Sequence, residues 1–438
     1  MQELIEPTAP VLSPQALADD LRYAPPQPGV ASRAKGAGLS ARLRERIAGE
    51  FHARWKDEWG SRFVTHGSAP GPEAVRLDGN DYLGVTGHPT VVQAQIDALR
   101  HNQDFVVQSG VFQLEGTPTS QFEQAMADWI GKEGGMLCQS GYTANLGLLQ
   151  VICDPQTPVY VDGLAHMSLW EGVRASGATA HPFRHNDPAH LARMMKRHGP
   201  GLVIVDSVYS TTGALCPLVE MLEVVEANES MILVDESHSL GTHGPNGRGL
   251  CAELGVTDRV HFISASLAKA FASRAGYFTL PDELRHYLMC HSFPSIFSSC
   301  LLPHELAGLQ ASLEVIKASD AARAQLMGHT RRLRRRLTEL GYPIDQGTEQ
   351  IIALEAGAEK DTLALRDALD ARGVVGAVFC APATSRGRAM VRLTLSAGLT
   401  EAELQHVEQV AAEVAPLVKP WEWPIARRKR SRPSGEQA

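Results

Sequence analysis

Apolar and polar positions follow two different rhythms along this chain. From Ser40 to Trp59, Leu43, Ile47, Phe51 and Trp55 recur every four residues, the stripe of an amphipathic helix. "AVRLDGNDYLG" then reads as a short strand and a turn ending near Gly84. Beyond it, short β-rich runs alternate with helical segments. "GGMLCQSGYTANLGLLQVI" reads as strand, tight turn and helix, and residues 158–162 predict a strand that leads into another helix. Further strands are predicted at 202–206, in "MILV" ending at Val234, and in "VHFIS" ending near Ser264. Each run is mostly apolar, which predicts an α/β fold with a mostly parallel sheet covered by helices on both faces.

After about residue 325 the texture changes. Leu326, Leu333, Leu337 and Leu340 form a helical stripe, followed by a strand in "QIIALEAG", a helix in "TLALRDALDARG", and strands in "VVGAVFC" and "MVRLTLSAG". A final helix opens on Thr400 and Glu403, a capping box, and sets Leu404, Val407, Ala411 and Val414 on one face. The predicted organisation is an N-terminal arm (1–38), a helix and strand segment (39–85), a large domain (86–325), a small C-terminal α+β domain (326–420) and a basic, disordered tail (421–438). "RRLRRR" at 331–336 reads as the solvated face of a helix, because its leucines keep core spacing.

Composition narrows the function classes. The 438 residues are 44% apolar, enough for two or three cores, and the net charge of −8 points away from nucleic acid. Seven cysteines without a C-x-x-C pair read as reduced thiols. The N-terminus lacks the basic flank and apolar run of an export signal, and no apolar stretch approaches the ~20 residues of a membrane span. A cytoplasmic protein is expected.

Ligands of open α/β sheets bind beyond the carboxyl ends of the strands. Following each predicted strand come, in order, Gln139-Ser140-Gly141-Tyr142 opening a helix, Asp162 with His166 four residues on, Asp206 and Ser207 leading to Ser210, Asp235 with His238, and Ser266-Leu267-Ala268-Lys269. Asp235 poses the sharpest question, since a carboxylate ending a core strand is costly unless something pairs with it. Pyridoxal 5'-phosphate (PLP) answers it. Lys269 can meet the aldehyde, Asp235 can keep the pyridine nitrogen protonated, and Gly141 and Tyr142 can offer amides to the phosphate at a helix N-terminus. Ser266 can add a hydroxyl, His166 can lie over the ring, and His238 and Ser210 can bond its phenolic oxygen. No metal is needed. A metal-dependent hydrolase on Asp235, His238 and His243 would leave Lys269 and Gly141 without roles and has no H-E-x-x-H element. A nicotinamide dehydrogenase would need a G-x-G-x-x-G after the first strand, which is absent.

The same stretches carry a resemblance. "NDYLG" (80–84), "SGYTAN" (140–145), "AHMSLWEG" (165–172), "DSVYSTTG" (206–213), "VDESHSLGTHGPNGRG" (234–249), "SLAKAF" (266–271) and "VRLTLSAG" (391–398) resemble the signposts of the α-oxoamine synthases, over about residues 76 to 415. These are PLP enzymes of fold type I, aspartate aminotransferase-like, that condense an amino acid with an acyl-CoA. The resemblance implies that Lys269 is the cofactor-binding and proton-transfer lysine, Asp235 the partner of the ring nitrogen, and His166 the stacked imidazole. It implies further that Arg392, assisted by Asn80, holds the substrate carboxylate. It also implies a homodimer with active sites at the interface, where Ser299 reaches the phosphate of the partner's site. Phe112 in "SGVFQLEG" and Gln121 in "TSQFEQ" depart from the housekeeping members, as does "SRAGY" after the lysine segment. These departures count against glycine, alanine or serine as the amino donor. "RHGPG", "VHFISASLAKAFASRAG", "IFSSCLLP" and "GAVFCAPATS" are similar to one branch, the CqsA-type α-hydroxyketone quorum-sensing autoinducer synthases. That likeness implies a medium-chain, decanoyl-like acyl-CoA and either S-adenosylmethionine or 2-aminobutyrate. The alternative within the family is a housekeeping synthase: 2-amino-3-ketobutyrate CoA ligase, 8-amino-7-oxononanoate synthase or serine palmitoyltransferase.

Overall fold

The structure, a computed structural model, describes residues 38–65, 67, 70–101 and 107–426. The expected N-terminal arm, up to residue 37, and the basic tail from residue 427 lie outside the described residues. The strands are β1 (Val75–Leu77), β2 (Gly134–Cys138), β3 (Pro158–Asp162), β4 (Thr179–Phe183), β5 (Leu202–Asp206), β6 (Met231–Asp235), β7 (Phe262–Ser266), β8 (Gly276–Leu280), β9 (Ile351–Gly357), β10 (Val374–Phe379) and β11 (Ala389–Thr394).

Seven of them form one sheet in the order β2-β8-β7-β6-β5-β3-β4. Every pairing is parallel except those of β8, which runs antiparallel to both β2 and β7. The centre is buried on both faces: Leu202 to Val205 and Ile232 to Val234 have no exposed surface. Each such side chain contributes about 1.5–3 kcal/mol of transfer free energy. Register then sets the site, since Asp206 lies beside Asp235, and Asp235 beside Ser264, at one edge of the sheet. Two strands went unpredicted. β4 is a polar edge strand containing Pro182, and β8 follows β7 through a short loop, closed by Leu267 donating its N–H to the Ala275 carbonyl at 2.9 Å. Lys269 sits in that loop.

A second sheet, β1-β10-β11-β9, packs with the helices Asp320–Glu339, Glu359–Asp370 and Glu401–Val418. β1 pairs in parallel with β10, so residues from the start of the described chain complete the C-terminal sheet. The capping box of Thr400 and Glu403 is present. The helix predicted from Ser40 runs Ala41–Asp57 with a π turn over Ile47–His52. A four-residue spacing is wider than the 3.6 residues of an α-helical turn, and widening the helix keeps Leu43, Ile47, Phe51 and Trp55 more nearly aligned. Leu43 and Phe51 remain exposed in the single chain, while Trp55 packs beside Trp59 and Phe63.

Two expectations need correction. The arginine run is not uniformly solvated. Arg332 pairs with Glu401 at 2.7 Å and Glu408 at 2.8 Å, but Arg334 is partly buried and donates to the carbonyls of Gly347, Glu349 and Ile351 at 2.6–2.9 Å. Burial lowers its guanidinium to about 10. The chain also does not become a free tail at residue 421. Trp423 and Ile425 are buried, with the Trp423 ring 5.8 Å from that of Tyr342.

Candidate active site

At the edge where β5, β6 and β7 end, a cavity of about 200 Å³ is lined by residues that are distant in sequence. Gly141 and Tyr142 come from the start of the helix Gly141–Ile152, and His166 from the cap of the helix Met167–Ser176. Asp206 and Asp235 end β5 and β6; Ser210, His238, Ser266 and Lys269 follow their strands.

The helix N-terminus is built for close approach. Ser140 caps it, accepting the Thr143 N–H at 3.1 Å while its own N–H donates to the Thr143 hydroxyl at 3.0 Å. First-turn amides of a helix have no acceptor within it, which leaves those of Gly141 and Tyr142 for an anion. A side chain at Gly141 would put a Cβ 2.4 Å from the Cβ of Ser266, and one at Gly276 would come within 2.2 Å of the Ser140 carbonyl oxygen. Glycine at both places lets the helix start press against the end of β7.

Asp235 is almost fully buried and its oxygens are held from two sides. Oδ1 accepts the Ser237 N–H at 2.9 Å and Oδ2 accepts from the Asn145 amide nitrogen at 2.8 Å. Burial lowers the Lys269 amine from its ordinary value, an effect Arg392 reinforces and Asp235 opposes. Lys269 Nζ lies 3.4 Å from Ser266 Oγ. The His166 imidazole is also lowered, by burial first and by Lys269, against the attraction of Asp235. His238 is buried and held well below the usual imidazole range by desolvation, then by Lys269, Arg392 and His166. Its Nδ1 meets the Tyr82 hydroxyl at 2.5 Å, and its carbonyl accepts from Gln350 at 2.8 Å. Burial raises the Asp206 carboxyl well above the ordinary range, with further push from Asp235.

Arg392 stands just behind this wall. It donates to the Ser210 carbonyl at 2.9 Å and to Asn80 Oδ1 at 3.0 Å, and its guanidinium lies 4.6 Å from the centre of the Phe379 ring. Its Nε is buried without a partner among the described residues, so it retains donor capacity. Ser299 is exposed and does not line this cavity; its carbonyl accepts from Gln139 at 2.7 Å. Phe112 is exposed on a short 3-10 turn, and Gln121 donates to the Gly116 carbonyl at 3.1 Å. His243 faces Glu349 at 3.0 Å rather than Asp235, and among the described residues no three His, Cys, Asp or Glu gather as a metal site.

Sequence reasoning placed Asp206 at the site without giving it a role, and missed Asn145, Ser168, Ser237 and Tyr82. Asp206 was legible as a strand-end acid, whereas Asn145 and Ser168 gain meaning only where their two helices cross. The set fits PLP: an amine lowered toward its free base, a buried carboxylate with donors on both oxygens, an imidazole in the wall, and open amides at a helix start.

Comparison with known proteins agrees. The family model for aminotransferase class I and II matches residues 72–410. The CAI-1 autoinducer synthase of Vibrio campbellii is 45% identical over 78% of this chain and 86% of its own length. The 8-amino-7-oxononanoate synthase 1 of Bacillus velezensis is 30% identical over 79% of this chain and 89% of its own. Among solved structures, SPT with PLP superposes with a TM-score of 0.74 at 27% identity, covering 79% of this chain and 88% of that one.

Proposed function

The chain belongs to the class I and II aminotransferase family and is a PLP-dependent α-oxoamine synthase of fold type I; from that premise we propose that it makes the precursor of an α-hydroxyketone autoinducer. The reaction joins a medium-chain, decanoyl-like acyl group from acyl-CoA to S-adenosylmethionine or 2-aminobutyrate. CoA and CO2 leave; 2-aminobutyrate yields an aminoketone, and S-adenosylmethionine yields an aminoenone once its sulfonium group is also eliminated as a thioether. The enzyme works in the cytoplasm; among the described residues no helix is long and apolar enough to cross a membrane.

One observation carries the catalytic part: Lys269, Asp235 and His166 converge on a single cavity at the sheet edge. PLP, when bound, supplies an aldehyde for amines and a protonated ring that accepts electrons from the substrate Cα. Lys269 moves the Cα proton, and burial, which lowers its affinity for protons, favours the free amine that role needs. Asp235 holds the proton on the ring nitrogen. His166 covers one ring face, and His238 with Ser210 binds the ring oxygen. The amides of Gly141 and Tyr142 and the hydroxyl of Ser266 take the phosphate. Arg392, steadied by Asn80, anchors the substrate carboxylate with a charge-assisted pair.

The working unit is a homodimer in which the partner subunit's Ser299 completes the phosphate site. Its support is the exposed apolar surface beside Ser299 in the single chain, where Phe293 and Phe297 are 58% and 76% exposed. Residues 86–325 form the cofactor-binding domain of this unit and 326–420 the small domain.

The substrate choice is supported by the 45% relative and by Phe112 and Gln121. Purified protein loaded with PLP is incubated with decanoyl-CoA and a panel of amino donors, following thiol release and ketone mass. Turnover is expected with S-adenosylmethionine or 2-aminobutyrate. Turnover confined to glycine, alanine or serine would replace this reading with a housekeeping synthase.

A further inference from the structure

We propose that Asn145 and Ser168 form a positioning relay, tying the Asp235 carboxylate to the His166 imidazole and fixing the hydrogen of that ring on Nε2. The inference deepens the proposed site and rests on its placement of Asp235 at the cofactor's ring nitrogen.

The hydrogen bonds run in one direction. The amide nitrogen of Asn145 can only donate. It reaches Asp235 Oδ2 at 2.8 Å and Ser168 Oγ at 2.9 Å, so both of its hydrogens are spent. Ser168 Oγ accepts there and keeps its own hydrogen, which faces His166 Nδ1 at 2.8 Å. The Ser168 backbone N–H approaches the same Nδ1 at 3.3 Å. Two donors aimed at Nδ1 leave its lone pair as the acceptor, and the ring hydrogen belongs on Nε2.

Reversing the chain is closed off. An amide turned the other way would set its oxygen against Asp235 Oδ2, acceptor facing acceptor. The orientation also leaves Asn145 Oδ1 buried without a partner among the described residues. An unpaired buried acceptor is costly, so packing alone does not account for an asparagine here. Both residues are enclosed, Asn145 at 2% exposure and Ser168 at zero.

Two consequences follow for the reaction. Asp235 sits among other charges: Asp206 on β5 beside it, Glu236 next in sequence, and Lys269 and His166 across the cavity. The Asn145 donor on Oδ2, opposite the Ser237 N–H on Oδ1, keeps the Asp235 carboxyl group aimed. His166, in turn, presents an N–H on its other nitrogen, suited to bonding an acyl carbonyl oxygen and unsuited to taking a proton there.

The test uses full-length protein stripped of PLP and titrated back with it, following visible absorbance, together with nitrogen-15 spectra of histidine-labelled protein. Asn145→Leu is expected to weaken PLP binding by about tenfold, the scale of one lost charge-assisted bond. Asn145→Asp is expected to bind poorly near pH 8 and to recover near pH 6, where one carboxyl of the facing pair gains a proton and donates it. Ser168→Ala leaves only the 3.3 Å backbone N–H at Nδ1, and is expected to shift His166 part of the way from the Nε2–H form toward a tautomer mixture. Should Asn145→Leu not fold, the Asn145→Asp pH series and the Ser168→Ala spectra decide. The relay is overturned if Asn145→Asp matches wild type at both pH values, or if His166 keeps its tautomer without the Ser168 hydroxyl. Failure of the wild-type protein to bind PLP would instead remove the site assignment itself.

Discussion

The two edges of the seven-stranded sheet hold cavities of opposite character. At the ends of β5, β6 and β7 lies the 200 Å³ cavity with Lys269, Asp235 and His166. At the other edge, where β6 and β7 begin, a groove of about 800 Å³ is lined by Met231, Val260, Phe262, Leu280, Leu284 and Tyr287, with Lys132 and His261 among them. The groove is four times larger, yet its lysine donates to the Val260 carbonyl. In the groove, burial and Lys132 lower His261. In the small cavity more groups act on one another, with Lys269 lowering both His166 and His238 and Asp235 opposing the shifts of Lys269 and His166. Volume measures room; converging, desolvated polar groups mark chemistry.

Swapping lysines breaks the comparison most sharply. Lys269→Ala is expected to lower turnover by more than about a thousandfold, since the proposed function makes Lys269 both the cofactor anchor and the base. Lys132→Ala should leave kcat and KM within twofold. Comparable losses in steady-state assays of both variants would erase the distinction between the edges.

Asp235→Asn is next in size. It preserves shape but removes the carboxylate that, on the proposed function, holds a proton on the ring nitrogen, and kcat is expected to fall about a hundredfold, in the range lost with an acid–base partner. PLP should still bind, as absorbance titration would report. Wild-type kcat in that variant would remove Asp235 from the chemistry.

Leu280→Ala tests the groove as structure. Leu280 is 2% exposed, and truncating such a residue costs about 2–5 kcal/mol of stability. Denaturant melts should record that loss while kcat of the folded enzyme stays unchanged.

Glu236 gives the smallest effect and one that depends on pH. It follows Asp235 but points away from the cavity, accepting the Cys251 N–H at 2.7 Å with Oε2 unpaired among the described residues. Burial raises its carboxyl to about 7. A raised folded value means its contribution is full below the unfolded value near 4.5 and is lost as pH rises through about 7. Glu236→Gln should therefore stabilise the fold by up to about 3 kcal/mol well above pH 7 and change little near pH 4.5. Melting curves at the two pH values check the sign.

Much of the site was legible because strand ends are legible. Ile232, Leu233 and Val234 run into Asp235 with no polar transition, and every strand of that type was followed by a residue of the cavity wall. What stayed hidden depends on long-range geometry. The pairing of Val75 with Val374, the antiparallel insertion of β8, and the crossing that brings Asn145 to both Ser168 and Asp235 leave no periodic trace. Arg334 was misjudged for a related reason. Its partners are backbone carbonyls of a loop 10–17 residues away, and sequence shows the charge but not the carbonyls.

Borohydride trapping compares the two edges in one experiment. Protein loaded with PLP is reduced, digested and mapped by mass spectrometry, so that the pyridoxyl mass marks the lysine the cofactor had joined. The mark is expected on the peptide holding Lys269 and to vanish in Lys269→Ala. A mark on Lys132 in the larger groove, or one that survives loss of Lys269, would contradict the account.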